Sequence, residues 1–119
     1  MTAESWRAKI KKNCEEAGTY RPFFDDVIEA LSAILEQRDT AKAQFDKSGG
    51  AVVISYTNKG GATNPAKNPF LVAWNDLNQT ALSYWRELGL TPAGLKKIDD
   101  NAMKQKKKSR LAEALNDLA

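Results

Sequence analysis

A chain of 119 residues and 13.2 kDa offers room for one core of ordinary size and excludes a second catalytic domain. Leu, Ile, Val and Phe total only 24 residues, the low edge of what lets a chain fold unaided, while 18 basic against 15 acidic groups leave a net charge of +3 that opposes neither folding nor association. With no histidine and one cysteine, the sequence excludes Ser-His-Asp and Cys-His catalysis, His-ligated zinc, CxxC redox chemistry and an intrachain disulfide, so no catalytic residue, metal site or cofactor is expected.

In chain order, Ala3 to Ala17 places Trp6, Ile10 and Cys14 four apart among charged residues, with Gly18 where a helix stops, and predicts a short amphipathic helix. Cys14 reads as a spectator thiol. Proline at Tyr20-Arg21-Pro22 suits a first helical turn, and no Gly or Pro interrupts the pattern before Ser48-Gly49-Gly50, which predicts a helix of about 26 residues. Its apolar residues form two adjoining stripes: Phe24, Ile28, Leu31, Leu35 and Phe45 on one, and Phe23, Val27, Ala30, Ile34 and Ala41 on the other. So broad a face suits packing on two neighbours, one of them a second copy of the chain, although a wide core face within one molecule fits equally well.

Ala51 to Thr57 is rich in β-branched and aromatic residues and Asn58-Lys59-Gly60-Gly61 is a turn signal, so a strand is expected, with a return strand over residues 62 to 67 held to an edge by Pro65. Asn68-Pro69 then opens a third helix running to about Leu88, on which Phe70, Trp74, Leu77, Ala81, Tyr84 and Leu88 recur at helical spacing. Gly89 is placed for a left-handed stop, and Thr91-Pro92 opens a further helix to about Ala102. Ser109 is expected to cap a last amphipathic turn or two carrying Leu111, Leu115 and Leu118. The fold class expected is therefore mainly α: a long antiparallel helix pair, short N- and C-terminal helices, and a small β-hairpin or single strand between the long helices. The domain division expected is residues 1–103 as a single helical oligomerisation unit, with 104–119 as a basic C-terminal tail carrying a short amphipathic helix.

Positive charge is concentrated at that tail. Residues 1 to 50 carry 8 basic and 9 acidic groups and residues 51 to 100 carry 5 and 4, whereas the last 19 carry 5 and 2, all five cations lying between Lys104 and Arg110. Lys104, Lys106, Lys107, Lys108 and Arg110 form the best electrostatic case for nucleic acid, because each neutralised phosphate releases counterions. Lys96 and Lys97, on the second helix of a possible helix-turn-helix over residues 81 to 98, are further phosphate candidates. Trp85 lies four before Gly89, where that motif prefers a small residue, so close crossing of the two helices should be hindered. The neighbouring carboxylates Asp25-Asp26 and Asp99-Asp100 point about 100° apart on a helix and clamp no common substrate. The glycine pairs lack the Walker pattern, so ATP binding is not encoded. No run approaches the roughly 18 apolar residues of a membrane span, and Met1-Thr2-Ala3-Glu4 has no apolar leader, so a soluble cytoplasmic protein without a membrane partner is expected.

Gly49-Gly50, Tyr56-Thr57-Asn58-Lys59-Gly60-Gly61, Asn68-Pro69 with Trp74, and above all Glu87-Leu88-Gly89-Leu90-Thr91-Pro92 together resemble a phage terminase small subunit. The likeness is clearest over residues 49 to 98 and looser over the helix from Tyr20. Many relatives continue after that proline with Ser-Ser-Arg and a further basic residue; here Leu95 stands in place of the arginine and Lys97 keeps the second cation, shifting any DNA contact toward Lys97 and the tail. The resemblance implies a non-catalytic subunit that forms a homo-oligomeric ring, binds double-stranded viral DNA and recruits or regulates a terminase large subunit carrying ATPase and nuclease. The oligomer interface is then expected at Phe24, Ile28, Leu31, Leu35, Trp74 and Trp85. A structural phage connector or adaptor, or a helix-turn-helix transcriptional regulator, is the alternative reading.

Overall fold

The computed structural model describes residues 1–117. Its elements are α1 (Ala3–Ala17), a 3-10 turn over Pro22–Phe24, α2 (Asp25–Lys47), β1 (Val53–Thr57), β2 (Thr63–Lys67), α3 (Pro69–Glu87) and α4 (Pro92–Asp117). The fold is mainly helical, with α2 and α3 packed antiparallel and the hairpin between them.

Local chemistry sets the first helix. Thr2 caps it by accepting from the Ser5 amide at 3.1 Å, Glu36 of α2 accepts from the Ala3 amide at 2.6 Å, and Gly18, at φ 74°, ends it. The stripe Trp6, Ile10 and Cys14 is buried in one cluster with Ile28, Leu31 and Leu35 of α2, Ala81 of α3 and Leu88 just after α3. Each fully buried Leu or Ile contributes about 1.5–3 kcal/mol of transfer free energy, so this cluster is where most of the fold's stability resides.

Of the residues expected at an interface between copies, Ile28, Leu31 and Leu35 are 1%, 0% and 0% exposed within a single chain. Their cover comes from α1, whose own apolar stripe is joined to α2 by a short connection. Phe24, beside them, is half-buried against the same cluster.

A polar knot holds the outer end of α1. The Trp6 indole donates to Asp39 Oδ2 at 2.7 Å, the N-terminal ammonium lies 3.4 Å from the same oxygen, and Arg38 Nη2 lies 3.3 Å from Oδ1. Arg38 also covers the Trp6 ring at 5.4 Å and donates to Asn78 Oδ1 of α3 at 3.3 Å, so it touches all three helices. Beyond this knot, Phe45, Leu71 and Trp74 remain half-buried around a narrow cleft at the hairpin end of the helix pair.

The hairpin is antiparallel, pairing Val53 with Lys67, Ser55 with Pro65 and Thr57 with Thr63. The Asn58 amide donates to the Ala62 carbonyl and the Asn68 amide to the Val52 carbonyl, both at 2.9 Å, which makes those two positions hydrogen-bonded pairs. Alternation along the ladder then puts Ser55 and Pro65 in a non-bonded pair. Proline is tolerated there because the N–H it lacks would have faced the open edge. Gly61, at φ 82°, makes the tip, with Asn58 Oδ1 accepting from the amides of Gly60 and Ala62.

Asn68 fastens the base of this arm. Its side-chain oxygen accepts from the Phe70 amide at 3.1 Å and caps α3, while its amide nitrogen donates to Ser48 Oγ and the Ala51 carbonyl, each at 3.0 Å. The residue is 1% exposed, and its side chain ties the end of α2, the start of β1 and the start of α3 together.

The C-terminal helix is longer than the short one expected, and the break before Ser109 does not occur: α4 runs continuously for 26 residues and passes through the expected boundary at residue 103. After Gly94 it contains neither Gly nor Pro and is built largely of Lys, Ala, Leu, Gln and Met, all strong helix formers. Leu118, expected on the last turn, lies outside the described residues. The projecting α4 gives the molecule extents of 83 × 27 × 21 Å and a radius of gyration of 22.0 Å, against about 13.5 Å for a compact chain of this length.

Two outcomes are expected. Asn68→Ala removes a helix cap and two buried hydrogen bonds and lowers stability by about 2–3 kcal/mol in denaturant titration, with hydrogen exchange rising more in β1 and β2 than in α1. At Asp39, partial burial raises the carboxyl pKa, but the Trp6 indole, Arg38 and the N-terminal ammonium outweigh it and the net shift is downward. A lowered folded value means the stabilisation is present above the ordinary carboxylate range and is lost as pH falls through about 4 and below. Asp39→Ala is therefore expected to destabilise by about 1.5–3 kcal/mol at neutral pH, with a gap to wild type that narrows on acidification.

Candidate nucleic-acid interface

The corner between α3 and α4 decides where the cationic residues stand. Leu88 is buried, Gly89 turns the chain at φ 72°, and Thr91 caps α4 by accepting from the Gly94 amide at 3.0 Å through its hydroxyl. A methyl group on Gly89 would lie 2.6 Å from Ile98 Cδ1 and 2.9 Å from Thr19 Cγ2. One on Gly94 would collide with the Arg86 carbonyl oxygen and stand 3.0 Å from that residue's C and Cα. The helices thus cross at backbone contact. Trp85 does not prevent the close crossing, because Gly94 on the other helix supplies the missing bulk-free position.

From this corner Leu95 and Ile98 lean half-buried on the body. Ile98, Asn101, Ala102 and Gln105 line a shallow cleft opposite Thr19, Arg21, Phe23 and Phe24. From residue 99 to 117 every position is exposed.

Continuity of α4 gives its cations a fixed phase. At about 100° per residue, Lys97, Lys104 and Lys108 fall within roughly 40° of one another, and Lys96 and Lys107 widen the band to about 120°. Ile98, Asn101, Ala102 and Gln105 occupy a different sector, so the band faces away from the body. Arg110 projects about 40° outside it, Lys106 stands about 80° outside it on the side of Ala102 and Gln105, and Asp100 falls within it. All seven cations are exposed, and among the described residues none forms an ion pair. From Lys96 to Lys108 the band extends about 18 Å, a length that spans several phosphates of a duplex. Leu111 and Leu115 then continue the line of Lys104, so the same side of the helix changes from cationic to apolar.

The other expected site residues are dispersed. Trp74 lines the narrow cleft with Lys42, Phe45 and Leu71 at the hairpin end of the pair. Trp85 borders a groove with Trp6, Lys9, Asn13, Leu90 and Thr91 at the opposite end. Cys14 is fully buried, and burial raises its thiol pKa, which opposes thiolate chemistry. Asp25 accepts the Tyr20 hydroxyl at 2.8 Å and stands with Asp26 in the first turn of α2, where negative charge favours the helix dipole. No group of three metal-binding side chains occurs among the described residues, and no described helix is long and apolar enough to cross a membrane.

Compared with known families, residues 3–108 match the model described as phage terminase, small subunit. The match runs from the first residue of α1 to Lys108, so it takes in the corner and every cation of the band. No curated protein and no solved structure matches the chain.

The residue most easily overlooked in the sequence is Gly94. Glycine is a poor helix former, and one placed in the first turn just after a helix corner is the available signal of close packing. Gly94→Ala is expected to destabilise by about 1–3 kcal/mol and to swing α4 from its present direction. Small-angle scattering should report an altered longest dimension; an unchanged scattering profile and melting point would show that the contact imposes no constraint.

Proposed function

Because the chain belongs to the phage terminase small-subunit family, we propose that it is a non-catalytic packaging subunit that binds double-stranded viral DNA through α4 and recruits or regulates a large ATPase and nuclease subunit. The observation that carries the DNA contact is the outward band of Lys96, Lys97, Lys104, Lys107 and Lys108 on one continuous helix, with Arg110 at its margin and Lys106 exposed on a neighbouring side. Counterion release at such a band supplies affinity that depends little on base sequence, which suits a subunit positioned along DNA by repetition of weak contacts.

Assembly into a homo-oligomeric ring belongs to the same proposal. Three of the six expected interface residues keep accessible surface: Phe24, Trp74 and Trp85 are half-buried, on the flank of α2 and on two ends of α3. A ring would set several α4 helices side by side, so that each chain's modest band becomes part of a larger cationic surface. The apolar turn of Leu111 and Leu115, 63% and 60% exposed just beyond the band, is a suitable contact for a protein partner such as the large subunit.

Replacing Lys106, Lys107 and Lys108 together by Ala tests the DNA contact. The variant is expected to keep its helix content and to bind duplex DNA more weakly, with the slope of log affinity against log salt reduced by about 0.9 for each phosphate no longer neutralised. Unaltered affinity and slope in fluorescence anisotropy titrations would remove the band from the interface.

A further inference from the structure

From the chemistry of the hairpin we infer that β1 is a two-fold docking edge for β1 of a second copy of this chain. A two-stranded ribbon is marginal in water by itself, and this one is fastened only at its base, through Asn68. Its two edges differ. The β2 edge lacks an outward N–H at Pro65 and carries Lys67 at its end. The β1 edge is intact: in the observed alternation, the amides and carbonyls of Val53, Ser55 and Thr57 all point away from β2. Nothing in β1 is charged, and Val53 and Tyr56 are each 58% exposed.

These features select the occupant. A neutral strand pairs with its own copy without repulsion, and a closed β2 edge disfavours the head-to-tail alternative in which β1 of one copy meets β2 of the next. An antiparallel pair with its two-fold axis at Ser55 sets Ser55 against Ser55 and Val53 against Thr57 of the other copy. In that register every outward amide and carbonyl of Val53, Ser55 and Thr57 gains a partner. The same register puts Ile54 beside Tyr56 of the second copy on one sheet face, a β-branched and aromatic pair, once on each side of the axis. The product is a four-stranded sheet in the order β2-β1-β1-β2, and the interface is isologous. Such pairing joins copies two by two and is separate from any contact made by α2 and α3.

The inference is independent of DNA binding and is tested without DNA, so failure of the α4 variants would leave it standing. In the full chain, Ser55→Cys is expected to form an intermolecular disulfide under mild oxidation roughly tenfold or more faster than Thr63→Cys on β2, because pairing holds the two sulfurs at high effective concentration within bridging distance. Ser55→Lys and Ser55→Asp each place like charges across the axis, and each should lower the sedimenting mass by half or more; mixing the two variants should restore it. A wild-type chain that stays monomeric, equal cross-linking at the two positions, or no recovery on mixing overturns the inference. So does a hairpin variant that alters DNA affinity while leaving the mass unchanged, which would make the ribbon a nucleic-acid contact instead.

Discussion

The carbonyl of Arg86 and the bare Cα of Gly94 meet where α3 gives way to α4, and the direction of everything after Leu88 follows from that meeting. A side chain on either Gly89 or Gly94 would push α4 off the body, and with it the half-buried Leu95 and Ile98 that keep its first turns in place. The cationic band therefore owes its outward aspect to two residues that carry no charge. Thr91 completes the arrangement by satisfying an amide that would otherwise be left free at the start of the helix.

Burial is distributed very unevenly along the molecule. Near the middle, α1 lies across α2 and closes a small cluster in which Ile10, Cys14, Leu31 and Leu35 are fully hidden. Toward the hairpin the structure thins to two helices and then to two strands, and toward the other end it thins to one helix. This is how a chain with only 24 large aliphatic and Phe residues folds: it seals five of them, Ile10, Ile28, Leu31, Leu35 and Leu88, in one cluster and leaves its extremities to local hydrogen bonding and helix propensity. The extremities are also where surface is available for other molecules.

Elements governed by neighbouring residues were legible in the sequence. Gly18 ends α1, Asn68-Pro69 opens α3, and the Gly-Gly tip with Pro65 on an edge describes the hairpin. What depended on distant partners was not legible. The stripe Ile28, Leu31 and Leu35 offered itself equally to α1 or to another copy, and periodicity cannot distinguish a neighbour in the same chain from one in a different chain. The run from Lys104 to Arg110 has no apolar period and so reads as a break, yet helix propensity carries α4 straight through it. Once that continuity is known, the seven candidate cations sort themselves by phase, and five of them share a side. The second role of Asn68, bracing Ser48 and Ala51, required the fold to bring residues 17 and 20 positions apart into contact.

The long unsupported run of α4 has a mechanical consequence. From Gly94 to Asp117 it reaches about 35 Å, so a rotation of only about 10° at the corner carries the far end through roughly 6 Å. The helix behaves as a lever arm whose fulcrum is the Gly94 crossing. An adjustment there too slight to disturb the buried cluster would therefore displace the exposed far turns of α4 by several ångströms relative to the body.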